Sequence, residues 1–279
     1  MKMIRDILPY FEKELMQFYS KKEAQNLAFW CIHSISTLSR SEYLLSSNSQ
    51  LSPDTVSFYK SIVSRLQKFE PLQYILGECE FYGLSLKVSP SCLIPRTETE
   101  ELVHWILQHN FTNALDIGTG SACIPIALAK HKDAQITALD ISSDALSIAR
   151  ENAKNNTVNI HFIEHDIFND IELKTSFDLI VSNPPYVLES EKRLMNNNVL
   201  DYEPHLALFV SDKEALIYYK RIIDFSKVYL QTDGLLFLEI NEQKSVEIRE
   251  LLENNGFENI LIKKDMQGKN RMVKAVRKS

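Results

Sequence analysis

The sequence predicts a doubly wound α/β sheet with a ligand crevice at the carboxyl ends of its strands, preceded by a small helical bundle. Three observations predict it. An apolar run ends in Asp116 and enters the glycine turn Gly118-Thr119-Gly120. A second run, Gln135–Leu139, ends in Asp140, about twenty residues beyond that turn, as in sheets that grip a ribose. A third, Phe177–Ser182, runs straight into Asn183-Pro184-Pro185-Tyr186. All three place chemistry-bearing residues on the side where open α/β sheets bind ligands.

The elements follow in chain order. Residues 1–73 contain no glycine and carry three apolar-periodic stretches, Ile4–Tyr19, Glu23–Ile35 and Thr55–Phe69. Ser52-Pro53 supplies a cap and a first-turn proline for the third, and Pro9 sets the start of the first or kinks it. This segment reads as a helical bundle. Residues 74–95 form a connector in which Cys79–Tyr82 and Leu84–Val88 flank Gly83, the pattern of a short hairpin. Residues 96–279 hold the sheet domain. A helix over Glu98–His109 leads to the strand at Ala114, then the glycine turn and a helix over Cys123–Lys130. Strands at Gln135–Leu139, Asn159–Glu164 and Phe177–Ser182 follow. A helix near Lys213–Leu230, a strand Leu235–Ile240, a helix Ser245–Asn254 and a final strand pair, Asn259–Lys264 and Met272–Arg277, close the chain. No internal repeat or low-complexity linker interrupts it.

Composition bounds the function. The 279 residues are 44% hydrophobic and 24% charged, ordinary for a water-soluble globular protein. No apolar run approaches the roughly eighteen residues of a membrane span and no signal-peptide pattern opens the chain, so a cytoplasmic protein without membrane contact is expected. Cys31, Cys79, Cys92 and Cys123 lack metal-site or disulfide-framework spacing, and no metal is expected. A net charge of −6 argues against a stable nucleic-acid binder, which normally shows a basic footprint.

The chemistry concentrates in two motifs. After a buried strand, Asn183-Pro184-Pro185-Tyr186 suits the alkylation of a planar NH2 group whose lone pair is delocalised. The Asn183 side-chain carbonyl and the Pro184 main-chain carbonyl can each accept one N–H. The prolines hold those carbonyls in place, and Tyr186 offers a flat face. The plain alternative is a polar turn. The glycine turn with Asp140 is by itself ambiguous between NAD, FAD and S-adenosylmethionine. Cys123 stands where the dinucleotide fingerprint requires its third glycine. Asp166 and Phe168, just past the third strand, make a plausible pair for an adenine ring, one accepting from its amine and one stacking. A helix cap is the alternative for Asp166.

With these residues in view the chain resembles the HemK/PrmC family, S-adenosylmethionine-dependent methyltransferases of a glutamine side chain in peptide-chain release factors. Pro71-Leu-Gln-Tyr-Ile-Leu-Gly77, Phe81-Tyr-Gly83 and Leu93-Ile-Pro-Arg-Thr-Glu-Thr-Glu100 carry the resemblance into the sheet domain. Asp116–Ile124, Asn183–Tyr186, Asp201-Tyr-Glu-Pro204 with Ala207-Leu208-Phe209, and Asp265-Met-Gln-Gly268 with Arg271 continue it. Asn-Pro-Pro-Tyr also occurs in enzymes methylating adenine in DNA, and the Pro71–Gly77 and Arg96–Glu100 segments single out the glutamine enzymes. Three positions depart from the pattern: Ala122 and Asn241 stand where glycine is usual, and Thr97 where proline is usual.

The resemblance implies a Rossmann-like class I methyltransferase fold, a mostly parallel seven-stranded sheet with helices on both faces. It implies S-adenosyl-L-methionine as cofactor, held by Gly118, Thr119, Gly120, Ser121 and Ala122 on the methionine and ribose side. Asp140 accepts the ribose hydroxyls and Asp166 with Phe168 holds adenine, with Asn183 beside the cofactor. Asn183, Pro184, Pro185 and Tyr186 form the catalytic loop, with no catalytic His or Cys. Arg96, Glu98 and Glu203 stay open between a substrate channel and structural ion pairs. The implied partners are class I release factors, docked through the helical domain and presenting a Gly-Gly-Gln loop to a monomeric enzyme. Two rivals remain: an exocyclic-amine methyltransferase of nucleic acid, and a nucleotide-binding protein in which Asn-Pro-Pro-Tyr is only a turn.

Overall fold

Serine side chains begin the helices of the amino-terminal unit, and apolar residues three and four apart close its core. The structure, a computed structural model, describes residues 1–46 and 48–278, which divide into two compact units. The first comprises Met1–Gly77 with Asn196–Tyr202. Ser20, Ser39 and Ser52 accept from backbone N–H groups at the starts of helices Lys21–Ser36, Arg40–Leu45 and Pro53–Leu66. A 3-10 turn, Ile4–Asp6, precedes helix Ile7–Leu15, so Pro9 lies in the first helical turn and does not kink it. Ile7, Phe11 and Leu15 meet Ala24, Ala28, Tyr59, Ile62 and Leu66 in one buried cluster. The short helices Arg40–Leu45 and Leu72–Leu76 were not expected; each is too brief to show a full apolar period. The second of them carries this unit past the expected boundary at residue 73. Tyr202, which sequence reading assigned to the sheet domain, donates to Lys68 O at 2.9 Å.

The second unit, Glu78–Met195 with Glu203–Ser279, opens on the hairpin β1 (Glu78–Phe81) and β2 (Leu84–Lys87). Tyr82 and Gly83 both have positive φ, 50° and 73°, the twist that a two-residue hairpin turn requires. The sheet strands are β3 (Asn113–Ile117), β4 (Gln135–Asp140), β5 (His161–Glu164) and β6 (Phe177–Ser182). A two-residue parallel pair follows, β7 (Val187–Leu188) and β8 (Phe209–Val210). Strands β9 (Leu230–Glu239), β10 (Phe257–Lys264) and β11 (Asn270–Arg277) complete the set. Seven strands form one sheet in the order β10-β11-β9-β6-β3-β4-β5. Strands β5, β4, β3, β6 and β9 run parallel, and β11 and β10 are antiparallel to their neighbours. This is the mostly parallel seven-stranded sheet that the resemblance implies.

Alternation along the central strands feeds a core on each face. Ala114, Leu179, Val181 and Phe237 pack with helices Thr97–Ile106, Cys123–His131 and Ser143–Asn155. Leu115, Ile180, Leu236 and Leu238 pack with helices Ile217–Tyr229 and Ser245–Asn254. Truncating a ring such as Phe237, fully buried here, costs about 3–5 kcal/mol in such cores. Helix Ser143–Asn155 was absent from the sequence reading. Its buried Asn152 breaks the apolar stripe, yet its amide donates to Ser121 O and Lys87 O, at 3.0 and 2.9 Å, and so ties the hairpin to the glycine turn. Among the described residues no helix is long and apolar enough to cross a membrane.

Candidate active site

The chain runs from β3 outward through β4 to β5 and then returns to β6 on the other side of β3. Ligand crevices form in open α/β sheets where the strand order reverses in this way. Here it opens a cavity of about 350 Å³ at the carboxyl ends of β3, β4 and β6. Its lining includes Gly118, Thr119, Gly120, Ser121, Asp140, Asp166, Phe168, Asn183, Pro184 and Pro185. Ala122 and Tyr186 lie outside that lining.

The glycine turn takes its shape from left-handed backbone. Gly118 and Gly120 have φ of 76° and 54°, and a Cβ at either would meet nothing within 4 Å. Glycine is therefore needed for conformation, and the space above the turn stays open. Ala122, where glycine was expected, holds φ at 63° and is fully buried at the start of helix Cys123–His131. An alanine there costs about 1–2 kcal/mol of backbone strain. Asp140 Oδ2 accepts from Gly120 N at 2.8 Å and Oδ1 from Ser142 N at 2.9 Å, which joins the tip of β4 to the turn. Burial raises its carboxyl pKa, and the N–H groups of Ser142 and Gly120 oppose the rise. Beneath the turn, Asp116 Oδ1 and Thr119 Oγ1 are buried with no well-aligned partner among the described residues. Burial pushes Asp116 up to about 7, against the nearby Thr119 hydroxyl. Of the two, only Thr119 lines the cavity, and its unpartnered hydroxyl fits a ligand that brings an ammonium group or hydroxyls.

The opposite wall is aromatic and local. Asp166 Oδ1 accepts from Phe168 N at 2.9 Å, a turn closed two residues along the chain. Phe168 is 42% exposed, and its ring meets Tyr218 edge-on at 5.2 Å. Tyr218 also lines the cavity and was missed in sequence, since one tyrosine in an amphipathic helix carries no distinguishing signal.

The Asn-Pro-Pro-Tyr wall is built from distant residues. Asn183 Nδ2 donates to Thr99 Oγ1 at 3.2 Å, and Thr99 donates to Glu239 Oε2 at 2.7 Å. The Tyr186 hydroxyl donates to Glu239 Oε1 at 2.8 Å. Burial, with Glu239 beside it, pushes the Tyr186 hydroxyl well above its usual value and keeps the proton in place. Instead of presenting a flat face to the cavity, Tyr186 lies under the Arg271 guanidinium, 5.8 Å from the ring centre. Asn241 donates to Tyr186 O and to Glu191 Oε2, both at 3.1 Å, so this departure from glycine anchors the loop. Arg96 and Glu203 form an ion pair at 2.6 Å, and Glu203 also accepts from Ile94 N at 3.2 Å. Arg96 lines the cavity while the buried Glu203 is structural. Glu98 accepts from Gln267 Nε2 and does not line the cavity. Cys92 and Cys123 do line it. Burial raises the Cys92 thiol to about 11 and pushes Cys123 well above the usual thiol value, so both are neutral thiols at neutral pH.

Residues 97–202 match the family model described as Methyltransferase small domain, and residues 6–77 match PrmC N-terminal domain. A release factor glutamine methyltransferase of Flavobacterium psychrophilum is 40% identical over 280 residues, covering 98% of both chains. Its namesake in Bacteroides thetaiotaomicron is 39% identical, covering 97% of this chain and 99% of its own. This chain belongs to the release factor glutamine methyltransferase family. The protein is accordingly an enzyme, a methyltransferase. Solved structures share the fold at lower identity. A methyltransferase from Pyrococcus furiosus aligns with a TM-score of 0.54 at 20% identity, covering 71% of this chain and 91% of its own. A 16S rRNA methyltransferase of T. thermophilus, in complex with AdoMet and guanosine, aligns at 0.53 with 15% identity, covering 72% of this chain and half of its own.

Proposed function

We infer that this family member transfers a methyl group from S-adenosyl-L-methionine to the side-chain amide nitrogen of the glutamine in the Gly-Gly-Gln motif of class I release factors. The observation that carries the reading is the Asn183 amide, tied through Nδ2 to Thr99 at the cavity edge. Its Oδ1 is thereby left as an acceptor for a planar NH2 group.

When bound, the cofactor supplies an electrophilic sulfonium methyl. Every other task falls to side chains and backbone. Gly118–Ser121, with Ala122 shaping the turn, would hold the methionine and ribose side. Asp140 keeps lone pairs for ribose hydroxyls beyond the two N–H groups it already accepts. Asp166 and Phe168 would hold adenine. Asn183 Oδ1 and the Pro184 carbonyl would each accept one N–H of the glutamine amide and direct its nitrogen at the methyl carbon. No base is required before transfer, since the alkylated nitrogen is acidic and sheds its extra proton readily. The helical unit would supply the docking surface for the release factor. The net charge of −6 favours a protein over a nucleic-acid substrate.

The test is transfer of radiolabelled methyl to purified, unmethylated release factor, run beside a factor whose motif glutamine is alanine and beside DNA. Label only on the intact factor, mapped to that glutamine, is expected. Label on DNA alone would move the protein to the exocyclic-amine enzymes, and no label despite measured cofactor binding would overturn the substrate.

A further inference from the structure

Glu239, at the end of β9, is buried at 1% exposure, and so is Thr99 at 2%. Neither belongs to the Asn-Pro-Pro-Tyr loop. Each oxygen of the Glu239 carboxylate accepts from a hydroxyl: Oε1 from Tyr186 at 2.8 Å, Oε2 from Thr99 at 2.7 Å. A hydroxyl has one hydrogen. With that hydrogen committed to Glu239, Thr99 Oγ1 can only accept on its other side, where Asn183 Nδ2 lies at 3.2 Å. Burial raises the Glu239 carboxyl pKa, while the Thr99 and Tyr186 hydroxyls and Arg271 oppose the rise. With Glu239 ionised, hydrogen counting along this relay leaves one orientation for the Asn183 amide, NH2 toward Thr99 and Oδ1 away. Among the described residues nothing donates to that Oδ1.

We propose that Glu239, acting through Thr99, is a positioning residue that sets which end of the Asn183 amide meets the substrate, and so selects a hydrogen-donating NH2 over an acceptor group. The inference rests on the substrate reading above and adds how the loop tells a glutamine nitrogen from an oxygen. An oxygen presented to Asn183 Oδ1 would place lone pair against lone pair. The amide nitrogen alone has hydrogens to give. The rest of the frame holds the carboxylate in place. Tyr219 donates its hydroxyl to Glu239 O at 3.3 Å, Arg271 donates to Ile240 O at 3.3 Å, and Asn241 fixes Tyr186 O.

An amide at position 239 changes the counting. In Glu239→Gln the new NH2 can donate to Thr99 Oγ1, which releases the Thr99 hydrogen to donate to Asn183 Oδ1. The Asn183 amide then turns over and offers its own NH2 to the substrate. Thr99→Val removes both the acceptor for Asn183 and the donor to Glu239 Oε2, and Thr99→Ser keeps both.

The experiment uses the full chain and three such variants. It measures kcat and KM with release factor, S-adenosylhomocysteine affinity by calorimetry, and inhibition by a release factor carrying Gln→Glu in its motif. Thr99→Ser should stay within about 3-fold of the parent, whereas Thr99→Val and Glu239→Gln should lose about 10- to 100-fold in kcat, as supporting partners of functional side chains do. S-adenosylhomocysteine affinity should hold in all three. Inhibition by the Gln→Glu factor should tighten at least about 5-fold in Glu239→Gln, since the turned Asn183 now donates to its carboxylate, an exchange worth about 1 kcal/mol. If Glu239→Gln fails to fold, Thr99→Val against Thr99→Ser carries the test alone. Folded variants with parental kcat would overturn the proposal, as would parallel loss of kcat and S-adenosylhomocysteine affinity. The parent's own activity on release factor reports separately on the substrate reading. Should the parent methylate a different NH2 acceptor, the same variants are run on that acceptor.

Discussion

The two sides of the cavity are held by opposite means. On the cofactor side, Asp140 reaches Gly120 across 20 residues of chain, and Asp166 reaches Phe168 across two. On the acceptor side, Asn183 is held by Thr99 across 84 residues, Thr99 by Glu239 across 140, and Tyr186 by Glu239 across 53. The first side leaves Phe168 partly open, while the second ends in a carboxylate at 1% exposure. The difference matches the two tasks. A cofactor must enter and leave, which suits short turns and a solvent-facing ring. Alkylating a weak nucleophile requires an acceptor fixed in direction, which suits a buried network with few alternative arrangements.

The largest effect should come from the rigid side. Asn183→Ala removes the acceptor itself and should lower kcat about 100- to 1000-fold, the cost of deleting one well-placed transition-state contact. S-adenosylhomocysteine affinity and thermal stability should stay close to parental. A well-folded variant that keeps a tenth of the parental turnover would erase the contrast between the two walls.

Asp116 tests whether the cofactor side hides a buried liability of its own. Its folded-state pKa of about 7 lies above the ordinary 3.8. The group's stabilising contribution is therefore complete below about pH 3.8 and is lost as pH rises through 7. The full span is on the order of 4 kcal/mol at most. Asp116→Asn cannot ionise. Its stability relative to the parent should rise across pH 4 to 7 and flatten above, in urea unfolding at each pH. A difference that does not vary with pH would mean that Asp116 is not buried as an uncompensated acid.

Asp140→Ala comes next. The variant frees Gly120 N and Ser142 N and removes the acceptor assigned to the ribose, so S-adenosylhomocysteine should bind about 10- to 100-fold more weakly in calorimetry. Unchanged binding would leave Asp140 as a structural clasp between β4 and the glycine turn.

The same contrast explains what was legible in the sequence. Glycine turn, strand-end acids and Asn-Pro-Pro-Tyr are local patterns, and the cavity lining gathers all of them except Asp116, Ala122 and Tyr186. The ligand-type residues at successive strand ends were readable in the same way, whereas the order of the strands across the sheet was not. Thr99 and Glu239 were not legible as a pair. Each resembles an ordinary polar residue near an element end, and only the β6–β9 pairing with helix Thr97–Ile106 above it brings them together. Helix Ser143–Asn155 was hidden by its low apolar content and by Asn152, whose partners lie 65 and 31 residues away. Asn241 read as a departure from a pattern because its role, an anchor for Tyr186 O and Glu191, is tertiary.

The smallest effect belongs to Phe168. Its ring is 42% exposed and already stands edge-on to Tyr218, so part of any stacking wall survives when it is truncated. Stacking of a base on an aromatic side chain is worth about 1–3 kcal/mol by alanine substitution, and an exposed ring belongs at the low end of that range. Phe168→Ala should therefore weaken S-adenosylhomocysteine about 5- to 10-fold, an effect near 1 kcal/mol, and leave kcat at saturating cofactor unchanged. Phe168→Leu separates stacking from bulk: if Leu restores the affinity, the ring serves only as apolar cover. If either variant lowers kcat as strongly as Thr99→Val, the two walls are coupled, and the division between an adaptable cofactor side and a rigid acceptor side fails.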